Sequence, residues 1–230
     1  MYVSGILNGE TTSPSHRAAM PALYAVTVDD STTTGVLLDV STGTYHRRGT
    51  LSGHAVSYEL RWYAHRTRKN LYVLEMDLNS AETTDVSINL STNVLQKSPD
   101  ISFATLPAPL ANVGLQCGET LIPETTDGPT HKVCMAYDVL PASLPVSPGS
   151  SALRFVMSVY TSLDSSTTAK GGDYIMAGAM DALTATRKLS RDELYAEHVQ
   201  GWQELQASGV EVRGRGDVAA AVNASVYAIL

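Results

Sequence analysis

At 230 residues the chain is long enough for one large domain or two small ones, and for a sizeable core. Hydrophobic residues at 43% and charged residues at 17% fit a globular, weakly charged protein, and a net charge of −7 gives no overall attraction for nucleic acid or an anionic membrane surface. No apolar run reaches the roughly 18 residues of a spanning helix. The opening Met1-Tyr2-Val3-Ser4-Gly5 lacks the basic segment and long apolar core of a secretory signal, so a cytoplasmic location is expected, or a secreted or lysosomal one where a signal precedes this start.

Residues 1–180 read as β. The run 2–7 is a short apolar strand closed by Asn8-Gly9, and 22–28 and 35–40 follow. Ser41-Thr42-Gly43 turns the chain into 44–47, so 36–47 reads as a hairpin. Alternation is clearest in 55–64, where Val56, Tyr58, Leu60 and Trp62 face one way and Ser57, Glu59, Arg61 and Tyr63 the other. Residues 71–79 and 85–92 repeat it. The basic run His65 to Lys69 between two of these strands reads as a solvated turn, and Glu75 with Asp77 as part of a solvated sheet face. The proline-punctuated stretch 98–110 and the segment 141–149 read as loops. Strands are expected at 132–140, 152–163 and 174–180. About ten strands with turns between them predict an antiparallel sandwich.

The period then changes from two to 3.6. Ser190 and Glu193 make a capping box, and Leu194, His198, Trp202 and Leu205 share one helical face. Ser208-Gly209 reads as a helix stop. Asp217 opens a second helix whose stripe is Val218, Val222, Val226 and Ile229. That stripe meets no stop signal, which leads us to expect further protein beyond it.

The residues by themselves point to no catalytic centre. There is no GxSxG, HExxH, phosphate loop or dinucleotide fingerprint. The six histidines show no i,i+4 pair, so neither metal nor other cofactor is expected. Cys117 and Cys134 could pair, but two cysteines make no disulfide framework, and free thiols are the expectation.

Several collinear stretches resemble one family. They are Tyr2-Val3-Ser4-Gly5-Ile6-Leu7-Asn8-Gly9 with Ser15-His16-Arg17-Ala18-Ala19-Met20-Pro21, then Leu38-Asp39 through Tyr45, Tyr63-Ala64-His65-Arg66-Thr67, Thr120-Leu121-Ile122-Pro123-Glu124, the helix of His198 and Trp202, and Ala221 to Tyr227. Together they resemble the opening region of glycoside hydrolase family 65, in its acid-trehalase-like branch. The resemblance implies a super-β-sandwich, a linker helix and the first helix of an (α/α)6 barrel. The corresponding divisions are a sandwich over 1–182 lacking its first strands, a linker over 183–216, and the start of a truncated catalytic barrel over 217–230.

Within the branch the likeness is to members that remove glucose from the glucosylgalactosyl-hydroxylysine of collagen by inversion, with acid trehalase next. The catalytic carboxylates of such enzymes lie in the barrel, so none carries over and this chain is expected to be inactive alone, meeting a carbohydrate substrate only through the barrel. Asn8, His16 and Arg17 are the candidates for the edge of the sugar cleft. His198, Trp202, Val218, Val222 and Val226 are the candidates for interdomain packing. The contrasting expectation is a free-standing sandwich that binds a glycan or protein and buries the Val218 stripe itself.

Overall fold

The computed structural model describes residues 1–9, 15–92, 97–125, 127–164, 173–206 and 212–229. In chain order the elements begin with β1 (Tyr2–Asn8), β2 (His16–Ala19), β3 (Val26–Val28), β4 (Ser31–Asp39), β5 (Thr44–Leu51), β6 (Val56–Ala64) and β7 (Leu71–Ser80). They continue through β8 (Val86–Thr92), β9 (Ile101–Leu106), β10 (Val113–Thr120), β11 (Lys132–Asp138), β12 (Ser143–Val146) and β13 (Gly149–Thr161). Helices α1 (Asp173–Arg187), α2 (Arg191–Gln206) and α3 (Gly216–Ile229) follow. The fold is mainly β, with antiparallel sheets preceding the helices, as the alternating patterns predict. The chain divides into two compact units. One comprises Met1–Asp30, Ser87–Pro145 and Phe155–Arg187, and the other Ser31–Val86, Val146–Arg154 and Lys188–Leu230.

In the first unit, β1 and β2 form a ribbon in which Asn8 stands opposite His16. Strands β12, β8 and β3 make a second small sheet, and β11, β10 and β9 run side by side with the end of β13. Three expectations change here. Residues 101–106 are a strand rather than part of a loop: β9 is terminal in its sheet, and Pro99 and Pro107 fall just outside it, where no ladder donor is needed. Pro145 likewise sits within β12, terminal in its own sheet. Residues 174–180 are helix, not strand. Ile175, Ala179 and Leu183 recur every four residues and are all buried, a stripe that a seven-residue window read as alternation.

The cysteines are also corrected. Strand β10 places Cys117 directly opposite Cys134 of β11, and the two are joined by a disulfide. Free thiols were expected because the reading lacked β10, and with it the register that brings the sulfurs together.

In the second unit β4, β5, β6 and β7 form an antiparallel meander. The hairpin is as predicted, with Val36 opposite Arg47 and Gly43 at φ 60° in its turn. Tyr58, Leu60 and Trp62 stand opposite Leu78, Met76 and Leu74, and all six are buried. On the other face lie Glu59, Arg61 and Tyr63, opposite Asp77, Glu75 and Val73. Helix α2 opens with the predicted capping box: the Ser190 amide donates to Glu193 Oε2 at 2.8 Å, and the Glu193 amide to Ser190 Oγ at 3.2 Å. The expected Ser208-Gly209 stop and the Ile229 side chain lie outside the described residues.

The 17-residue separation of the bridged cysteines sets the expected stabilisation. Replacing both by serine should cost about 3 kcal/mol, read as a lowered denaturation midpoint. Wild-type chain should show the same loss when a reductant is added and the double variant should show none.

Candidate functional site

The expected cleft residues fall in the first unit, and the structure brings two of the three together. Asn8 is buried at the end of β1. Its Oδ1 accepts from the Ile122 amide at 2.9 Å, and its Nδ2 donates to Asp100 Oδ1 at 3.4 Å. His16 Nε2 lies 2.9 Å from the same Asp100 oxygen, and the Ala19 amide donates to Asp100 Oδ2 at 2.7 Å. Burial raises the Asp100 pKa, but the Ala19, His16 and Asn8 hydrogen bonds outweigh it and hold the carboxyl below its usual range. Arg17, opposite Leu7, is exposed and does not join this cluster. Asp100 is the organising residue, and it is not legible in the sequence because the prolines around it give the stretch the pattern of a loop.

The second unit holds a larger polar constellation, built between the meander and α2. Glu75 is completely buried in the middle of β7. Its Oε2 is paired with Arg61 and accepts from Arg191 Nε at 2.8 Å, while its Oε1 accepts from the Tyr63 hydroxyl at 2.8 Å. Arg191, the first residue of α2, also forms a two-pronged pair with Asp77. That pair holds the Asp77 carboxyl below its usual range, while burial and the Glu75 charge push the Tyr63 hydroxyl far up. The Arg61 guanidinium lies over the Tyr195 ring, 3.7 Å from its centroid. Glu75 and Asp77 do share a face, as expected, but Glu75 is not solvated. Three groups of α2 and β6, Arg191, Arg61 and Tyr63, close it off.

The basic turn is likewise a docking element. His65 is buried: its Nδ1 accepts from the Arg68 amide at 3.1 Å, so the proton is on Nε2, which donates to the Leu194 carbonyl at 2.9 Å. His198, fully buried on α2, repeats the arrangement. Its Nδ1 accepts from the Arg66 amide at 3.1 Å and its Nε2 donates to the Thr42 carbonyl at 2.6 Å. Backbone donors thus fix both imidazoles as the neutral Nε2–H tautomer. Burial lowers both pKa values, that of His198 to about 4. Outside them, Glu197 accepts from Thr67 Oγ1 at 2.8 Å and from Arg68 Nη2 at 2.9 Å.

Trp202 closes the seam. It is 8% exposed, lies against Gly43, and stacks on Tyr227 of α3 with centroids 5.3 Å apart. A side chain at Gly43 would run into the indole. His198 and Trp202 are therefore packing residues of α2. On α3, Val218 is exposed, and Val222 and Val226 are half-buried.

This constellation fastens a helix, and its geometry is unsuited to acid–base work. Glu75 has no access to a substrate, and the Glu75 and Asp77 carboxylates are bridged by a guanidinium where a pair of glycosidase carboxylates would flank a sugar bond. Among the described residues no group of three or more His, Cys, Asp or Glu is placed to hold a metal ion.

The family described as uncharacterized conserved protein (DUF2152) matches residues 35–230. The chain belongs to this family. It is also 26% identical over 244 residues to protein-glucosylgalactosylhydroxylysine glucosidase of Dictyostelium discoideum, a match covering 99% of this chain and 32% of that one. A protein described as a kojibiose phosphorylase from the human microbiome superposes with a TM-score of 0.65 at 12% identity, over 89% of this chain and 32% of the other. The chain thus spans about a third of the length of the relatives it matches. The resemblance to glycoside hydrolase family 65 read from the sequence is borne out, and so is its sandwich architecture.

Two outcomes follow from the α2 seat. Replacing Arg191 by alanine should cost about 1–3 kcal/mol, the loss of a charged hydrogen-bond partner from buried Glu75 while Arg61 and Tyr63 stay in place, measured by urea unfolding. The folded pKa of His198 is depressed, so between pH 6.5 and about 4 the unfolded chain binds a proton that the folded chain refuses. The histidine contribution should be complete above pH 6.5 and drain away as pH falls toward about 4. His198→Ala should be less stable above pH 6.5 and show a shallower loss below it.

Proposed function

We propose that the chain is the non-catalytic sandwich-and-linker portion of a glycosidase acting on a glucosylated disaccharide, the glucosylgalactosyl-hydroxylysine of collagen. The observation that carries this reading is the collinear match of 99% of the chain to 32% of a glucosidase named for that substrate. The α2 seat supports it. A helix held by a buried carboxylate, two bridging imidazoles and an indole provides a rigid mount for whatever α3 joins. The half-open apolar stripe Val218, Val222 and Val226 suits packing against further protein. A self-sufficient binding module would bury that stripe within its own 230 residues.

On this reading Asn8 and His16 shape a loop rim through Asp100, and Arg17 is the side chain free to reach a sugar. The bond-breaking carboxylates belong to a barrel outside this chain, where one protonates the glycosidic oxygen and the other activates water. On this reading the parent is an O-glycosyl hydrolase, and the alternative parent is an acid trehalase, with trehalose as its substrate.

Two assays test the proposal. The purified chain should release no glucose from glucosylgalactosyl-hydroxylysine or from trehalose, and turnover above a blank would sink the non-catalytic assignment. Grafted in place of the matched third of the Dictyostelium discoideum glucosidase, the chain should preserve hydrolysis of glucosylgalactosyl-hydroxylysine, and Arg191→Ala in the graft should lower it. A folded graft with no activity would count against the parentage.

A further inference from the structure

The face of the meander that α2 covers at Glu75 is open one and two rows further along. There Arg48, Glu59 and Asp77 stand side by side on β5, β6 and β7, and beyond them Thr50, Ser57 and Asn79 do the same. These rows floor a cavity of about 570 Å³ walled by Ser151 and Ala152 of β13. The volume lies within the range of small-molecule sites, roughly 300–1,000 Å³. All of its lining belongs to the second unit.

We propose that this groove binds a neutral polyhydroxylated ligand, a sugar of about two rings. Charge is balanced at the groove: Arg48 Nε donates to Glu59 at 2.8 Å, and Asp77 is held by Arg191. A net anion or cation therefore finds no unpaired counter-charge. The second row is uncommitted. The side chains of Thr50, Ser57 and Asn79 make no hydrogen bond among the described residues, leaving two hydroxyls and one amide to donate and accept. Neighbouring strands lie about 4.8 Å apart, so three abreast reach across about 10 Å, the length of two pyranose rings. Arg48, Thr50 and Ala152 belong to the same lining, and an arginine stem, a threonine methyl and an alanine methyl are the apolar parts that C–H faces of a sugar can meet.

The groove stands on its own chemistry, while the choice of glucosylgalactose as its sugar rests on the function proposed above. The test uses the isotope-labelled full chain and follows backbone amide resonances during titration with glucosylgalactose, with glucose 6-phosphate as the charged comparison. Shifts confined to residues 48–50, 57–59 and 77–79, with a Kd of about 1 mM, are expected. Ser57→Ala and Asn79→Ala, both at exposed positions, should each weaken binding about tenfold without altering the circular dichroism spectrum. Absent shifts, shifts unchanged in both variants, or tighter binding of the phosphate would overturn the groove. Loss of the groove leaves the graft assay untouched. A failed graft with intact sugar binding would remove the parentage and keep the groove.

Discussion

A carboxylate with no solvent exposure is the constraint around which the second unit is built. Burying the Glu75 charge is costly unless it is neutralised and its lone pairs are filled. Two guanidiniums and a phenol do this, and they come from β6 and α2 rather than from β7 itself. The carboxylate is therefore satisfied only when α2 is seated. The same arginine that completes it grips Asp77, so the start of α2 is fixed in direction as well as position. Arg154 adds to this by donating to the Leu189 and Ser190 carbonyls at 2.9 Å, immediately before the helix begins.

The remaining fastenings act further along the same helix and use a different chemistry. Each histidine takes a backbone amide proton from the β6–β7 turn and gives its own proton to a carbonyl, Leu194 on α2 for His65 and Thr42 in the β4–β5 turn for His198. Neutral imidazole is well suited here because it presents one donor and one acceptor on opposite sides. A protonated ring would aim a second N–H at an amide donor. The seat thus combines ionic pairing at one end with neutral bridging in the middle, where acid must charge two buried imidazoles to act. Gly43 then admits the Trp202 indole, and its positive φ suits the same turn.

Local patterns carried much of this into the sequence. Period-two alternation located β6, β7 and β8, and the Ser190–Glu193 pair located the start of α2 with its hydrogen bonds. His198 and Trp202 were legible as packing residues because both lie on one helical face. What escaped was long-range. Arg191 meets Glu75 across 116 residues of sequence, and nothing local distinguishes Glu75 from a solvated neighbour except its setting between Leu74 and Met76. His65 to Lys69 looked like a polar turn because its partners, Leu194, Glu197 and His198, follow more than a hundred residues later. Asp100 and the disulfide were missed for a related reason, since unrecognised strands hide the register that gives their residues partners.

The two halves of the polar face divide along one charged side chain. Asp77 faces Arg191 under α2 and also borders the open groove. Without α2, Asp77 would be an unpaired carboxylate at the groove's end, and the site would favour cations. With α2 seated, its charge is cancelled and the Thr50, Ser57 and Asn79 row sets the chemistry. On the proposal above, the seat and the groove share one electrostatic element, the Asp77–Arg191 pair. A change that loosens α2 should alter the charge preference of the groove before it alters its shape.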